Sequence, residues 1–215
     1  MAYIPALRFS WLTRYYDPVV QATTRETTFK RHLVDEAGLE AGHRVLDLGC
    51  GTGTLAINIK RRYPNVVVSG LDGDPKILDI ASKKAVEAGV DIVLETGMSH
   101  RLPFPDGSFD RIFSTLFFHH LTHEDKMRTL GEVYRTLTPG GKLCVGDWGK
   151  AQNLLMRVLF LPVQILDGFE TTTDNVNGLL PGLICKAGFA PVREIKNYAT
   201  MFGTISLHEA MKPAI

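Results

Sequence analysis

The sequence predicts an α/β fold in which a mostly parallel sheet is covered by helices on both faces and carries one reversed strand near an edge. Three observations predict it. Short apolar runs alternate with longer amphipathic ones through the middle of the chain, and the last two apolar runs stand only a few residues apart. The composition of the 215 residues, 45% hydrophobic and 22% charged, supplies a full core for one domain and excludes disordered, collagen-like and coiled-coil readings.

The strand-like runs, each bounded by turn residues, are Arg44–Leu48, Val66–Leu71, Asp91–Glu95, Phe109–Thr115 and Lys142–Gly146. Amphipathic segments at 53–62, 75–88 and 123–137 lie between them, and a Pro/Gly-containing loop joins the third run to the fourth. Strand–helix–strand alternation of this kind makes a parallel sheet. Val192–Tyr198 and Phe202–Ala210 are too close for a crossover, so they form an antiparallel hairpin. Two segments remain: residues 1–40, helical in pattern with Trp11, Tyr15 and Tyr16, and an insertion over 149–183. Both are placed to cover the C-terminal ends of the strands, where open sheets bind ligands. The domain reading is one unit over 1–215, with a helical cap (1–40), a core (41–148), a substrate-side insertion (149–183) and a C-terminal helix and hairpin (184–215).

Charge narrows the partners. With 24 Lys+Arg against 23 Asp+Glu the net charge is +1, no basic cluster stands out, and nucleic acid is not expected. Cys50, Cys144 and Cys185 are odd in number and widely spaced, unlike a disulfide or metal framework, so a reducing cytoplasm is the expected compartment. MAYIPALRFSWL lacks the features of a signal peptide. Leu154–Leu166 is broken by Arg157, Pro162 and Gln164 and falls short of the ~20 residues that span a bilayer, so no stable membrane insertion is expected. The apolar residues of that stretch suit core packing or a homodimer contact.

The chemistry is carried by Val45-Leu46-Asp47-Leu48-Gly49-Cys50-Gly51-Thr52-Gly53-Thr54, which follows the first strand and opens a helix. Glycines at alternate positions let the backbone turn tightly and approach a ligand, and the helix start beyond them presents free N–H groups. Asp72, at the end of the second strand, is placed to accept hydrogen bonds from a ribose diol. A dinucleotide loop would read G-x-G-x-x-G; here Thr54 stands where its last glycine belongs. Asp47 puts a carboxylate where a pyrophosphate would lie, which disfavours an anion and favours an ammonium group.

VLDLGCGTG, LDGD, LPFPDGSFD leading into IFSTLFFHHL, and LTPGGKL fall in order between about 43 and 148. Together they resemble the class I S-adenosylmethionine-dependent methyltransferases, in particular the type 11 small-molecule enzymes. The resemblance implies a Rossmann-like three-layer sandwich with a seven-stranded sheet and a reversed final strand. It also implies S-adenosylmethionine as cofactor, S-adenosylhomocysteine as product, and in-line transfer of a methyl group to an O, N, C or S nucleophile of a small molecule. Asp47, Gly49, Cys50, Gly51 and Gly53 would line the methionine and ribose part, Asp72 would hold the ribose hydroxyls, and Thr115 would stand near the methionine end. Two positions depart from the family pattern: Met98 replaces the usual acid facing the adenine amino group, and Gly73 replaces a bulkier residue after Asp72. Adenine recognition is then expected from Ser99, with apolar contact from Met98 and Leu102.

His120 is the first candidate for a general base and His119 the second, since both follow the fourth strand. Tyr15 and Tyr16 are candidates for an aromatic lid over the sulfonium, Tyr15 on the cofactor and Tyr16 beside the reacting groups. His119, His123 and Asp125 invite a metal reading, but adjacent histidines are expected to point apart and no third ligand is evident, so no metal site is expected. Asp167, Phe169, Glu170 and Thr171 read as loop residues, and Trp148 as a pocket wall. A thiol-dependent arsenite acceptor is disfavoured because Cys50 lies in the glycine loop and Cys144 in a core strand. The alternatives are a silent S-adenosylmethionine-binding partner subunit, a nicotinamide oxidoreductase and a metal-dependent hydrolase.

Overall fold

The computed structural model describes residues 24–214. Seven strands, β1 (Arg44–Leu48), β2 (Val67–Asp72), β3 (Val93–Thr96), β4 (Phe109–Thr115), β5 (Leu137–Trp148), β6 (Val192–Thr200) and β7 (Gly203–Met211), form one sheet in the order β3-β2-β1-β4-β5-β7-β6. Neighbours from β3 to β5 are parallel, and β7 runs antiparallel to both β5 and β6. The anticipated hairpin is therefore present, with the reversed strand inserted between β5 and β6. Chain order reverses between β1 and β4, which is where an open sheet of this kind leaves a ligand crevice.

The helices are α1 (Glu26–Glu36), α2 (Thr54–Arg62), α3 (Pro75–Ala88), α4 (His123–Thr136), α5 (Leu154–Leu159), α6 (Leu161–Asp167), α7 (Phe169–Val176) and α8 (Leu180–Lys186). The expected 149–183 boundary cuts through α8, because that helix begins at Leu180, three residues before the insertion was expected to end. Tyr15, Tyr16 and Trp11 lie outside the described residues. Among the described residues, no helix is long and apolar enough to cross a membrane.

Period-two alternation divides the buried residues between the two faces. Val45, Phe113 and Cys144 pack with Phe29 and Leu33 of α1 and with Leu55 and Ile59 of α2. Leu46, Leu48, Ile112, Leu143 and Val145 pack with Leu130 and Val133 of α4 and Leu183 and Ile184 of α8. The Pro/Gly loop is tied to α4 by Arg135, which donates to the Phe104 carbonyl at 2.8 Å and to Asp106 at 2.7 Å, and by the Leu102 N–H, which donates to Glu132 at 2.7 Å.

One buried cation clamps the insertion to the core. Lys126 of α4 has no exposed surface, and its ammonium donates to the carbonyls of Leu121 (2.9 Å) and Thr171 (2.6 Å) and approaches the Asp174 carboxylate at 3.4 Å. Burial lowers its affinity for the proton and the Asp174 charge offsets only part of that loss. Lys126→Ala would leave a buried carboxylate and two carbonyls short of a donor, so urea unfolding is expected to show a loss of about 3 kcal/mol or more.

Candidate functional site

The loop after β1 turns on three glycines with left-handed φ: Gly49 (+70°), Gly51 (+53°) and Gly53 (+73°). They are glycine for different reasons. A Cβ on Gly49 would fall 2.3 Å from Cδ2 of Phe117, so the loop is packed tightly against the turn after β4. Among the described residues, a Cβ on Gly51 would meet no atom within 4 Å beyond its chain neighbours, so there the missing side chain leaves space at the end of β1. The Cys50 side chain lies against β2, where a Cβ on Gly70 would be 3.0 Å from its sulfur, and burial raises the thiol pKa steeply. Only the backbone of Cys50 therefore contributes to the loop.

Two carboxylates flank this loop. Asp47 is buried; its Oδ2 accepts from the Ala56 N–H at 3.2 Å, while Oδ1 has no hydrogen-bond partner among the described residues. Burial raises its pKa to about 6, against the lowering effect of the Lys30 charge. Asp72 accepts from the N–H groups of Gly51 (2.9 Å) and Asp74 (3.0 Å), and burial pushes its carboxyl above the usual range. It thus braces the loop while the carboxylate keeps some acceptor capacity. Asp74, not Asp72, caps α3, by accepting from the Lys76 N–H at 2.9 Å. Beside Asp72, Gly97 donates to the Asp72 carbonyl, Ser99 is buried in a 2.8 Å hydrogen bond with Thr129, Leu102 is buried, and Met98 is 39% exposed. These residues and Gly73 leave an apolar edge with no acidic side chain facing it from position 98.

β4 ends at the buried Thr115, and Leu116 follows with φ of +52°, an uncommon conformation for a branched side chain. Phe118–His120 then form a single 3-10 turn, held by Asp147 at the end of β5. Asp147 is 1% exposed and accepts from Phe117 N (3.1 Å), His119 N (3.3 Å), His119 Nδ1 (2.7 Å) and its neighbour Trp148 N (2.7 Å). Burial alone would raise its pKa, but the His119 charge and these hydrogen bonds outweigh it and hold the carboxyl below the ordinary range. An ionised Asp147 only accepts, so Nδ1 of His119 carries a proton, and the neutral form of this imidazole would have its lone pair on Nε2.

The histidines correct the expected geometry. His119 and His120 do not diverge: their ring centroids are 3.9 Å apart at 42°. A third group also reaches them, because Asp167 at the end of α6 brings an oxygen to 3.6 Å from His119 Nε2. Asp167 therefore stands at a helix end beside the histidine pair and not in a loop. His123 belongs elsewhere, paired with Asp174 at 3.1 Å. His120 is held well below the ordinary histidine range by burial and by the neighbouring His119. On its other flank Asp147 lines a cavity of about 320 Å3 with Trp148, Asn175, Asn197, Ser206 and His208. The roles of Asp147 and Asp167 were missed in the sequence; Asp147's place at a strand terminus was the one available signal.

This arrangement suits S-adenosylmethionine. Asp47 offers an unpartnered buried oxygen for a cationic ammonium, Gly51 an opening for close backbone approach, and Asp72 acceptors for a ribose diol. Gly51→Ala is expected to fold, with a backbone cost of about 1 kcal/mol, but to bind the cofactor at least ~10-fold more weakly, whereas Gly49→Ala should fail to fold stably. The folded protein holds the Asp47 proton more tightly than the unfolded chain does, so this group's contribution to stability is present at low pH and lost as pH rises through about 6. Cofactor binding needs the carboxylate and should follow the opposite course. Titration calorimetry should show affinity falling by up to ~10-fold per pH unit below about 6, and Asp47→Asn should abolish that dependence.

Comparison with known proteins converges on the same cofactor. Residues 45–141 match the family model described as a methyltransferase domain. A demethylmenaquinone methyltransferase of Thermus thermophilus is 42% identical over 203 residues, covering 86% of this chain and 90% of its own length. A ubiquinone/menaquinone biosynthesis C-methyltransferase of Saccharophagus degradans is 28% identical, over 86% of this chain and 81% of its own. Among solved structures, the YcgJ protein of Bacillus subtilis has a TM-score of 0.70 at 19% identity, over 86% of this chain and 97% of its own. A Haemonchus contortus phosphoethanolamine N-methyltransferase crystallised with S-adenosylhomocysteine has a TM-score of 0.71 at 17% identity, over 86% of this chain and 52% of its own. Sequence likeness that extends well beyond the glycine loop, on a sheet of this order, decides against the oxidoreductase and hydrolase alternatives: the chain belongs to the class I S-adenosylmethionine-dependent small-molecule methyltransferases.

Proposed function

We propose that the methyl acceptor is a hydroxylated aromatic ring of the quinol class, methylated at a ring carbon beside a hydroxyl group, and that His119 is the general base. The observation that carries this reading is the His119–Asp147 pair, because a phenolic acceptor needs a base and this pair supplies an oriented one. S-adenosylmethionine, when bound, supplies a sulfonium-activated methyl group in line with the nucleophile. Asp147 fixes the ring and tautomer of His119, so that Nε2 takes the hydroxyl proton. Losing that proton raises electron density on the oxygen and on the adjacent ring carbon. The buried Asp147 carboxylate then stabilises the imidazolium that forms. Trp148 and Phe118, both buried beside this pair, help exclude water.

Two further facts support this acceptor class. Two of the proteins named above are, by their names, a demethylmenaquinone methyltransferase and a ubiquinone/menaquinone biosynthesis C-methyltransferase. In addition, α5, α6 and the start of α7 expose Leu154, Leu155, Val158, Ile165, Leu166 and Phe169, next to Asp167. An apolar face there suits a ring that carries a hydrocarbon tail. The geometry favours His119 over His120 as base, since the described structure gives His120 no carboxylate partner within hydrogen-bond distance.

The test is methylation of a reduced, prenylated naphthoquinol, with the product located by mass spectrometry. His119→Ala and Asp147→Asn should each lower kcat by ~10²-fold or more while cofactor affinity is retained, and the oxidised quinone should not react. Full activity of His119→Ala would remove the base, and failure to methylate any hydroxylated aromatic would remove the acceptor class.

A further inference from the structure

The geometry points to a site for a single divalent cation of the zinc class, made by His119 Nε2, a ring nitrogen of His120 and a carboxylate oxygen of Asp167. Among the described residues these three are a group whose donor atoms all lie within 4.8 Å of one another. The His119 to Asp167 separation of 3.6 Å is too long for a hydrogen bond. It is close to the span that one ion imposes, because two donors bound at ~2.1 Å stand roughly 3–3.4 Å apart. Two imidazoles and one carboxylate form a borderline set that prefers zinc, cobalt or nickel over magnesium or calcium.

The surroundings complete the pattern. The second nitrogen of His119 donates to Asp147 at 2.7 Å, the arrangement that fixes a metal-bound imidazole and makes it a better donor. The three ligands come from two elements, the 3-10 turn and the end of α6, so an ion would tie the insertion to the catalytic turn. Three protein ligands leave further coordination positions open.

The site itself stands on geometry alone; its consequence for transfer rests on His119 being the base. A cation on Nε2 occupies the lone pair that would take the acceptor proton. Metal binding and methyl transfer are then mutually exclusive, and the ion is an inhibitor.

The test uses the untagged full chain, treated with chelator and titrated with Co2+ while visible absorption is followed. Bands of a four- or five-coordinate Co2+ ion should grow to one equivalent and vanish on adding Zn2+. Asp167→Asn and His120→Ala should each weaken Co2+ binding at least ~10-fold, and Asp147→Asn should weaken it by ~10–100-fold, with cofactor affinity measured on every variant to confirm folding. Absence of such bands at millimolar Co2+ would overturn the site, as would equal binding by the wild type and the folded variants. Zn2+ should inhibit the wild type at the concentrations that displace Co2+. Binding without inhibition would leave the site standing and refute His119 as base, whereas inhibition without Co2+ binding at these residues would refute the site.

Discussion

A buried carboxylate must be surrounded by donors, and the acceptor side of this protein is arranged around that demand. Asp147 is carried into the interior by β5, where water cannot solvate it, and the chain answers with three backbone N–H groups and one imidazole. Two of the N–H groups belong to the turn after β4, so the same contacts that satisfy the carboxylate also set the path of residues 117–120. The positive φ of Leu116 is the local cost of bringing that turn over the end of β5. Phe117, held by Asp147 on one side, packs against Gly49 on the other, and so the cofactor loop and the acceptor turn share one wall.

The cofactor half is organised differently. Its two acids, Asp47 and Asp72, are both pushed toward the neutral form by burial, and each is only partly compensated by backbone donors. The chain leaves charge unbalanced beside the glycine loop, at Asp47 and Asp72, and balances it closely where Asp147 holds a side chain still. That contrast distinguishes a binding surface from a positioning device.

Most of the fold was legible because it rests on local periodicity. Alternating strand and helix patterns gave the parallel sheet, and the short link near Met201 and Phe202 gave the hairpin; terminal residues of β2 and β3 moved by one or two positions, and β5 starts at Leu137, five residues before the expected Lys142. The cofactor loop was equally legible, since its glycines, Asp47 and Asp72 are adjacent or nearly adjacent to strands whose pairing is forced. The acceptor site was not. His119 and His120 converge because residues 118–120 form one isolated 3-10 turn bridged to Asp147, which an expectation of diverging neighbours did not contain. Asp147 and His119 are 28 residues apart, and Asp167 joins them only through the packing of α6 and α7, a long-range result that no spacing rule encodes.

The insertion of β7 between β5 and β6 has a consequence for how the chain is made. β5 is a central strand of the finished sheet, yet its partner on one side is the last strand in chain order. During synthesis, residues 142–148 keep an unpaired edge until about 60 further residues have emerged, and that edge includes Asp147 and the apolar Leu143 and Val145. Pairing of high sequence separation is slow to form and leaves such edges open to other chains. The strand that anchors the turn of residues 117–120 is therefore among the last to be sealed, so a nascent chain cannot hold the His119–Asp147 pair in a closed sheet until the hairpin forms.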